Sequence, residues 1–87
     1  MKVFHLQIVT PEGIAFEGEA KGLSLRGTEG EIAVLAGHAP LVTLLAPGSC
    51  RIYTEKEDEW HWAYGAGALA VTREGVYVAL TELLTRK

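Results

Sequence analysis

Apolar and polar residues alternate along most of this chain with a period of two. Phe4, Leu6 and Ile8 stand out of phase with His5, Gln7 and Val9, and Leu23 and Leu25 with Ser24 and Arg26. Trp60, Trp62 and Tyr64 share one phase, and Val76 and Val78 share another. Period two over such lengths is a strand pattern. Turn residues interrupt it at Pro11-Glu12-Gly13, Gly27-Thr28-Glu29-Gly30, residues 37–40, Pro47-Gly48, residues 55–58 and Arg73-Glu74-Gly75. Turn signals spaced about every 8 to 12 residues mark a sandwich or barrel. The pattern therefore predicts an all-β chain, a two-sheet β-sandwich of about nine or ten short strands. Helical spacing competes only in residues 79–87, where Leu80, Leu83 and Leu84 stand at i, i+3 and i+4. So short a segment does not hold a helix alone. It reads as the last strand running into a short tail or one helical turn.

Residues 27–40, GTEGEIAVLAGHAP, are the most informative stretch. Gly27 and Gly30 both permit positive φ, which puts Thr28 and Glu29 at the tip of a tight reversal. Glu29 and Glu31 then belong at a wet rim, because a buried unpaired carboxylate is costly. The strand 32–35 is apolar enough to be covered on both faces, and Gly37 and Pro40 end it. Carboxylates and a histidine on loops held by a rigid strand suit docking better than catalysis. The loop runs on into Leu41-Val42-Thr43-Leu44-Leu45-Ala46-Pro47. Such an apolar run is either a buried strand or an exposed patch needing a partner. Periodicity does not separate the two.

Length and charge narrow the function. Eighty-seven residues make one domain, spanning 1–87, and a chain of this size buries roughly 60–65% of its unfolded surface. A net charge of −3 supplies no basic footprint for nucleic acid and no cluster to hold an anionic membrane. The lone Cys50 excludes an internal disulfide and fits a reducing compartment. The N-terminus fails as a signal sequence because His5, Gln7 and Glu12 break its apolar run. No window approaches the ~20 apolar residues of a membrane span.

Catalytic chemistry finds little to use. His5, His38 and His61 have no metal-ligand spacing and read as surface or cross-strand polar residues. Cys50 alternates in phase with Ile52, as a buried structural cysteine does. Gly65-Ala66-Gly67 is followed by a strand rather than by the helix N-terminus that a phosphate loop needs. A close strand crossing or a bulge explains these glycines better. Trp60 and Trp62 read as core and rim. Glu55-Lys56-Glu57-Asp58 reads as a solvated hairpin tip, with one sharper alternative: Lys56 as the swinging-arm lysine of a lipoyl or biotinyl carrier domain. Its two glutamate neighbours weaken that alternative. No cofactor, metal or small-molecule ligand is expected.

The order His5-Leu6-x-Ile8-Val9-Thr10-Pro11-Glu12-Gly13, then Phe16-Glu17-Gly18, Gly27-Thr28-Glu29-Gly30-Glu31, Gly37-His38-Ala39-Pro40-Leu41-Val42-Thr43 and Pro47-Gly48 closely resembles the epsilon subunit of F-type ATP synthases, called delta in mitochondria. The resemblance runs from the N-terminus to about Val78, with residues 29–43 the most specific block. It implies a β-sandwich at the foot of the central stalk, bound to the gamma subunit and to the polar loops of the c-subunit ring. By that resemblance Glu29, Gly30 and Glu31 face the c ring, Glu31 foremost. Thr10, His38, Ala39, Pro40, Leu41, Val42 and Thr43 lie toward gamma. No catalytic residue is implied; the chain would be a rotor part at the cytoplasmic face of a bacterial inner membrane, attached peripherally.

Some positions depart from the family pattern. Ala33 and Ala36 stand where Gly and Pro are usual, and Ala66, Ala68 and Ala70 sit where Gly-Gly-apolar-Leu-Glu is usual. Thr81-Glu82-Leu83-Leu84 replaces the usual exit. The chain stops at Lys87, where family members continue into a helical hairpin that carries their inhibitory behaviour. The altered exit favours a naturally short chain, lacking that arm, over a truncated one.

Overall fold

In the computed structural model, which describes residues 2–56 and 58–86, the alternating segments form nine strands and no helix. They are β1 (Phe4–Thr10), β2 (Gly13–Gly27), β3 (Gly30–Leu35), β4 (Leu41–Leu45), β5 (Gly48–Thr54), β6 (Glu59–Tyr64), β7 (Gly67–Val71), β8 (Val76–Leu80) and β9 (Leu83–Arg86). One layer is built from the first half of β2, then β1, β8, β7 and β4; the other from β3, the second half of β2, β5, β6 and β9. Hydrogen bonding is continuous between them, because β2 serves both layers and Gly27 at its end also pairs with Leu45. All pairs are antiparallel except β1 with β8.

One core fills the space between the layers. Leu6, Ile8, Leu69, Val71, Val76 and Val78 enter from one side, and Leu23, Leu25, Val34, Ile52, Trp62 and Tyr64 from the other. Phe16 closes the gap by meeting Trp60 and Trp62 edge-on, at centroid distances of 5.6 and 6.4 Å. Trp62 is buried and Trp60 half-buried, the core and rim roles that their spacing predicts. Cys50 is also in this core, where burial pushes its thiol up to about 11.

Four expectations need correction. First, the strands are not all short: β2 runs for 15 residues, because a ladder irregularity between Ala20 and Gly22 lets one strand turn from the first layer into the second. Second, residues 79–86 contain no helical turn. Ala79 and Leu80 end β8, and 83–86 pair with the free edge of β6; Lys87 lies outside the described residues. Backbone partners supplied by another strand outweigh a helix too short to sustain itself. Third, residues 32–35 are covered on one face only: Val34 is buried while Leu35 is 64% exposed. Fourth, Gly30 has φ of 135° but Gly27 has no positive φ. What Gly27 supplies is room: a Cβ there would meet Ile32 Cδ1 at 2.6 Å and the Gly30 carbonyl oxygen at 3.2 Å, so Ile32 would have to shift.

The second half of β2 loses its β5 partner after Ser24, which would strand the backbone groups of Arg26 on that side. Tyr64 supplies them. Its Oη accepts from the Arg26 N–H at 3.1 Å and donates to the Arg26 carbonyl at 3.3 Å, which also accepts from the Ala46 N–H at 3.0 Å. Burial raises the Tyr64 hydroxyl above its ordinary pKa, with the Arg26 hydrogen bond opposing. Removing the hydroxyl leaves a part-buried N–H unsatisfied. Tyr64→Phe should therefore cost about 1–3 kcal/mol and lower the thermal midpoint by about 4 °C or more, measured by thermal and denaturant unfolding. Cys50 should not react with a thiol reagent at pH 8 in the folded chain, and should react promptly once denaturant unfolds it; fast labelling of the native protein would contradict its burial.

Candidate functional site

Register gathers the connections into two poles. Gly27 faces Leu45, Leu45 faces Gly67, and Gly67 faces Leu80; Val9 lies beside Ala79. The links at 11–12, 28–29, 46–47, 65–66 and 81–82 therefore share one end of the sandwich. The exposed residues Glu12, Glu29, Glu31 and Glu82 come with them. Arg26 stands opposite Glu31 in the ladder, so one carboxylate of the set has a basic neighbour within the chain, and Glu29 sits at the exposed turn tip. Glu12 lies 16 residues before Thr28 and Glu82 lies 53 residues after Glu29, and only the sheet order joins them to the turn.

The two outer faces of the sandwich differ. On the layer containing β1, β8, β7 and β4, the outward positions form ladder rows: Val42, Ala70, Tyr77 and Gln7 in one, and Leu44, Ala68, Ala79 and Val9 in the next. Ile14 of β2 extends the second row beyond Val9. Val42 is 80% exposed, Leu44 65% and Ile14 59%. Contiguous apolar surface of this kind marks an interaction site. The opposite outer face carries Ser24, Glu31, Ser49, Arg51, Glu59 and His61 around a polar hollow. There Glu59 accepts from or pairs with His61 at 2.8 Å and Arg51 at 3.5 Å. Solvent suits this second face.

The run beginning at Leu41 is thus neither simply buried nor simply exposed. Leu45 is in the core and Leu41 half-buried, while Val42 and Leu44 point outward. Its residues, assigned toward one partner by resemblance, have different surroundings. Leu41 and Thr43 share a groove of about 360 Å3 with Glu29, Gly30 and Glu31. His38, Ala39 and Pro40 line a larger, open cavity of about 660 Å3 at the opposite pole, with His5, Glu19 and Arg73. Thr10 sits in the first hairpin, where its Oγ1 accepts from the Glu12 N–H at 3.2 Å, at the acidic pole. The apolar outer face is what connects these places. Its members Val9, Ile14, Ala68, Ala70, Tyr77 and Ala79 do not stand out in the sequence. For Ala68, Ala70, Tyr77 and Ala79 the one signal is that both phases of residues 67–71 and 76–80 are apolar.

The histidines have local partners. His5 lies between Glu17 and Glu19 at 3.5 and 3.6 Å, and His38 Nδ1 is 2.6 Å from the Ala39 carbonyl oxygen. Among the described residues, no group of three or more His, Cys, Asp or Glu could hold a metal ion, and no helix is long and apolar enough to cross a membrane. Lys56 is exposed in the turn after β5; Glu57 lies outside the described residues.

Comparison with known proteins addresses the whole chain. A family model described as the ATP synthase delta/epsilon chain, beta-sandwich domain, matches residues 3–84. The ATP synthase epsilon chain of Clostridium novyi is 40% identical over 77 residues, covering 88% of this chain and 59% of the relative. That of Helicobacter pylori is 42% identical over 76 residues, covering 87% and 61%. The chain therefore spans about three-fifths of the length of these curated relatives. Among solved structures, a chain in the Euglena gracilis mitochondrial ATP synthase, in an OSCP/F1/c-ring assembly, superposes with a TM-score of 0.87 at 25% identity, over 94% of this chain and 52% of its own. A chain of the Tetrahymena thermophila mitochondrial ATP synthase central stalk and c ring gives a TM-score of 0.79 at 12% identity, over 92% and 64%; that likeness concerns the fold. With the family model matching nearly all of its residues, the chain belongs to the β-sandwich family of ATP synthase delta and epsilon chains.

Proposed function

We propose that this chain is a non-catalytic central-stalk part of an F-type ATP synthase that seats on the gamma subunit through the apolar outer face and meets the c-ring loops with the acidic pole. The observation that carries this reading is the difference between the two outer faces: one apolar across β4, β7, β8 and β1, the other polar. A rotor part must stay attached while torque passes through it, and apolar burial supplies most of such a bond. The molecule's two longer dimensions are 31 and 25 Å, so one broad face matches the ~800 Å2 per partner of a standard interface. The exposed carboxylates add only about 0–1 kcal/mol per ion pair, and act by setting orientation and register against a basic surface. Thr10 and the turn at 28–29 share that pole, so the end of the gamma-facing sheet and the ring-facing turn are neighbours on one rigid body.

This assignment places the chain at the cytoplasmic side of a bacterial inner membrane, held there by its partners. It also displaces the carrier alternative, since membership in this family calls for no acylated lysine at position 56.

The two surfaces should fail in different ways. Val42→Asp puts a charge into the apolar face and should weaken binding to the cognate gamma subunit about tenfold or more, read by titration calorimetry; unchanged affinity would remove the face from the interface. Glu31→Lys should leave the thermal midpoint and gamma affinity near their original values. In reconstituted membranes it should lower ion pumping per ATP hydrolysed, an effect that fades as rising salt screens the original charge contacts. If Glu31→Lys instead unfolded the chain, the acidic turn would be structural and not a contact.

A further inference from the structure

The apolar outer face has a hollow in its middle, and the hollow has a floor of alanine. Ala68 and Ala79 are direct ladder partners, and Ala70 pairs with Tyr77 in the next row. Val42 rises on the β4 side, and Tyr77 and Val9 on the β8 and β1 side, enclosing a hollow of about 200 Å3. Gln7 contributes the single polar side chain other than the Tyr77 hydroxyl, and no charged residue lines it. Water held there has few hydrogen-bonding partners, and an apolar group that displaces poorly held water gains affinity. A charged or amide side chain would lose its hydration without compensation. An apolar cavity of ~150 Å3 takes up a benzene molecule, so this one has room for one side chain the size of Leu, Met or Phe.

We propose that the hollow is a specificity pocket, receiving one large apolar side chain that projects from the gamma subunit of the same synthase. This rests on the reading of the face as the gamma-binding surface, and adds what that surface selects for. Two features favour a protein knob from that partner. The exposed side chains of Val42, Leu44 and Ile14 form an apolar rim around the hollow, so whatever fills it also covers the rim. The hollow, about 200 Å3, is too small to account for the whole face, and the small side chains of its floor leave a recess between Val42 and Tyr77 that a flat surface would not fill. Three alanines in adjacent ladder positions leave space that larger residues would fill, and space of a definite size is a means of discrimination between partners.

The decisive variants enlarge the floor. Ala68→Leu and Ala70→Leu each add apolar area while filling the hollow. On a flat greasy face they would leave gamma binding unchanged or tighten it. With a knob seated there, each should weaken binding about tenfold or more, while Ala33→Leu on the opposite, polar face leaves it unchanged. Binding is measured by calorimetry with the purified cognate gamma subunit, and thermal unfolding confirms that each variant folds. Should one variant fail to fold, the other carries the test, because the two occupy different ladder rows. Unchanged or tighter binding of both Leu variants, with Val42→Asp still disruptive, would overturn the pocket and leave the gamma-binding face standing. If Val42→Asp also bound normally, both readings would fall. If sedimentation showed the chain alone to be a dimer that Ala68→Leu dissociates, with gamma binding unaffected, the occupant would be a second copy and the proposal would be overturned.

Discussion

Both layers of this sandwich depend on β2, because one strand supplies the central ladder of the second layer and an edge of the first. A strand that changes layers must leave one set of hydrogen-bonding partners before it has reached the next, and unsatisfied backbone groups at a part-buried site are expensive. Two local devices meet that demand. An irregularity between Ala20 and Gly22 turns the strand, and the Tyr64 hydroxyl stands in for the missing ladder at Arg26. Gly27, immediately beyond, allows Ile32 to fold back over the strand end. The acidic turn at 28–29 thus follows directly on a strand end held through the Arg26 backbone by Tyr64 and Ala46.

That mounting is what the proposed role as a central-stalk part would require. A part that passes torque needs stiffness and attachment, and in this chain the two would have different sources. Stiffness comes from a single core shared by the layers, with Phe16, Trp60 and Trp62 in mutual edge contact across the gap. Under the proposed function, attachment would come from side chains that the core does not use: the exposed Val42, Leu44 and Ile14 on one outer face, and the carboxylates at one pole. Because inward and outward residues alternate along the same strands, the apolar outer face is carried on the strands that build the core, with no intervening loop.

The outer face was hard to read in advance for a physical reason. Period two shows which residues share a side, as with Leu6 and Ile8 or Val76 and Val78, but when both sides are apolar it does not say which one water sees. In β1 the phase of His5 and Gln7 ends in Val9, and in β7 and β8 the outward residues are alanines and a tyrosine. Their exposure follows from the order β1-β8-β7-β4, which nothing in a local window specifies. The same holds for residues 83–86. Their leucine spacing suggests a helical turn, and the unpaired edge of β6 makes them a strand.

The sequence by itself determined the all-β class, the turns near residues 12, 28, 38, 47, 56 and 74, the exposure of Glu29 and Glu31 and the burial of Cys50, since each follows from residues within a few positions of one another. The tertiary structure alone decided which residues form one surface. Glu12 and Glu82 join the acidic turn, Thr10 and His38 separate to opposite poles, and three alanines from two strands make a hollow, because strand order and register bring together what the chain keeps far apart.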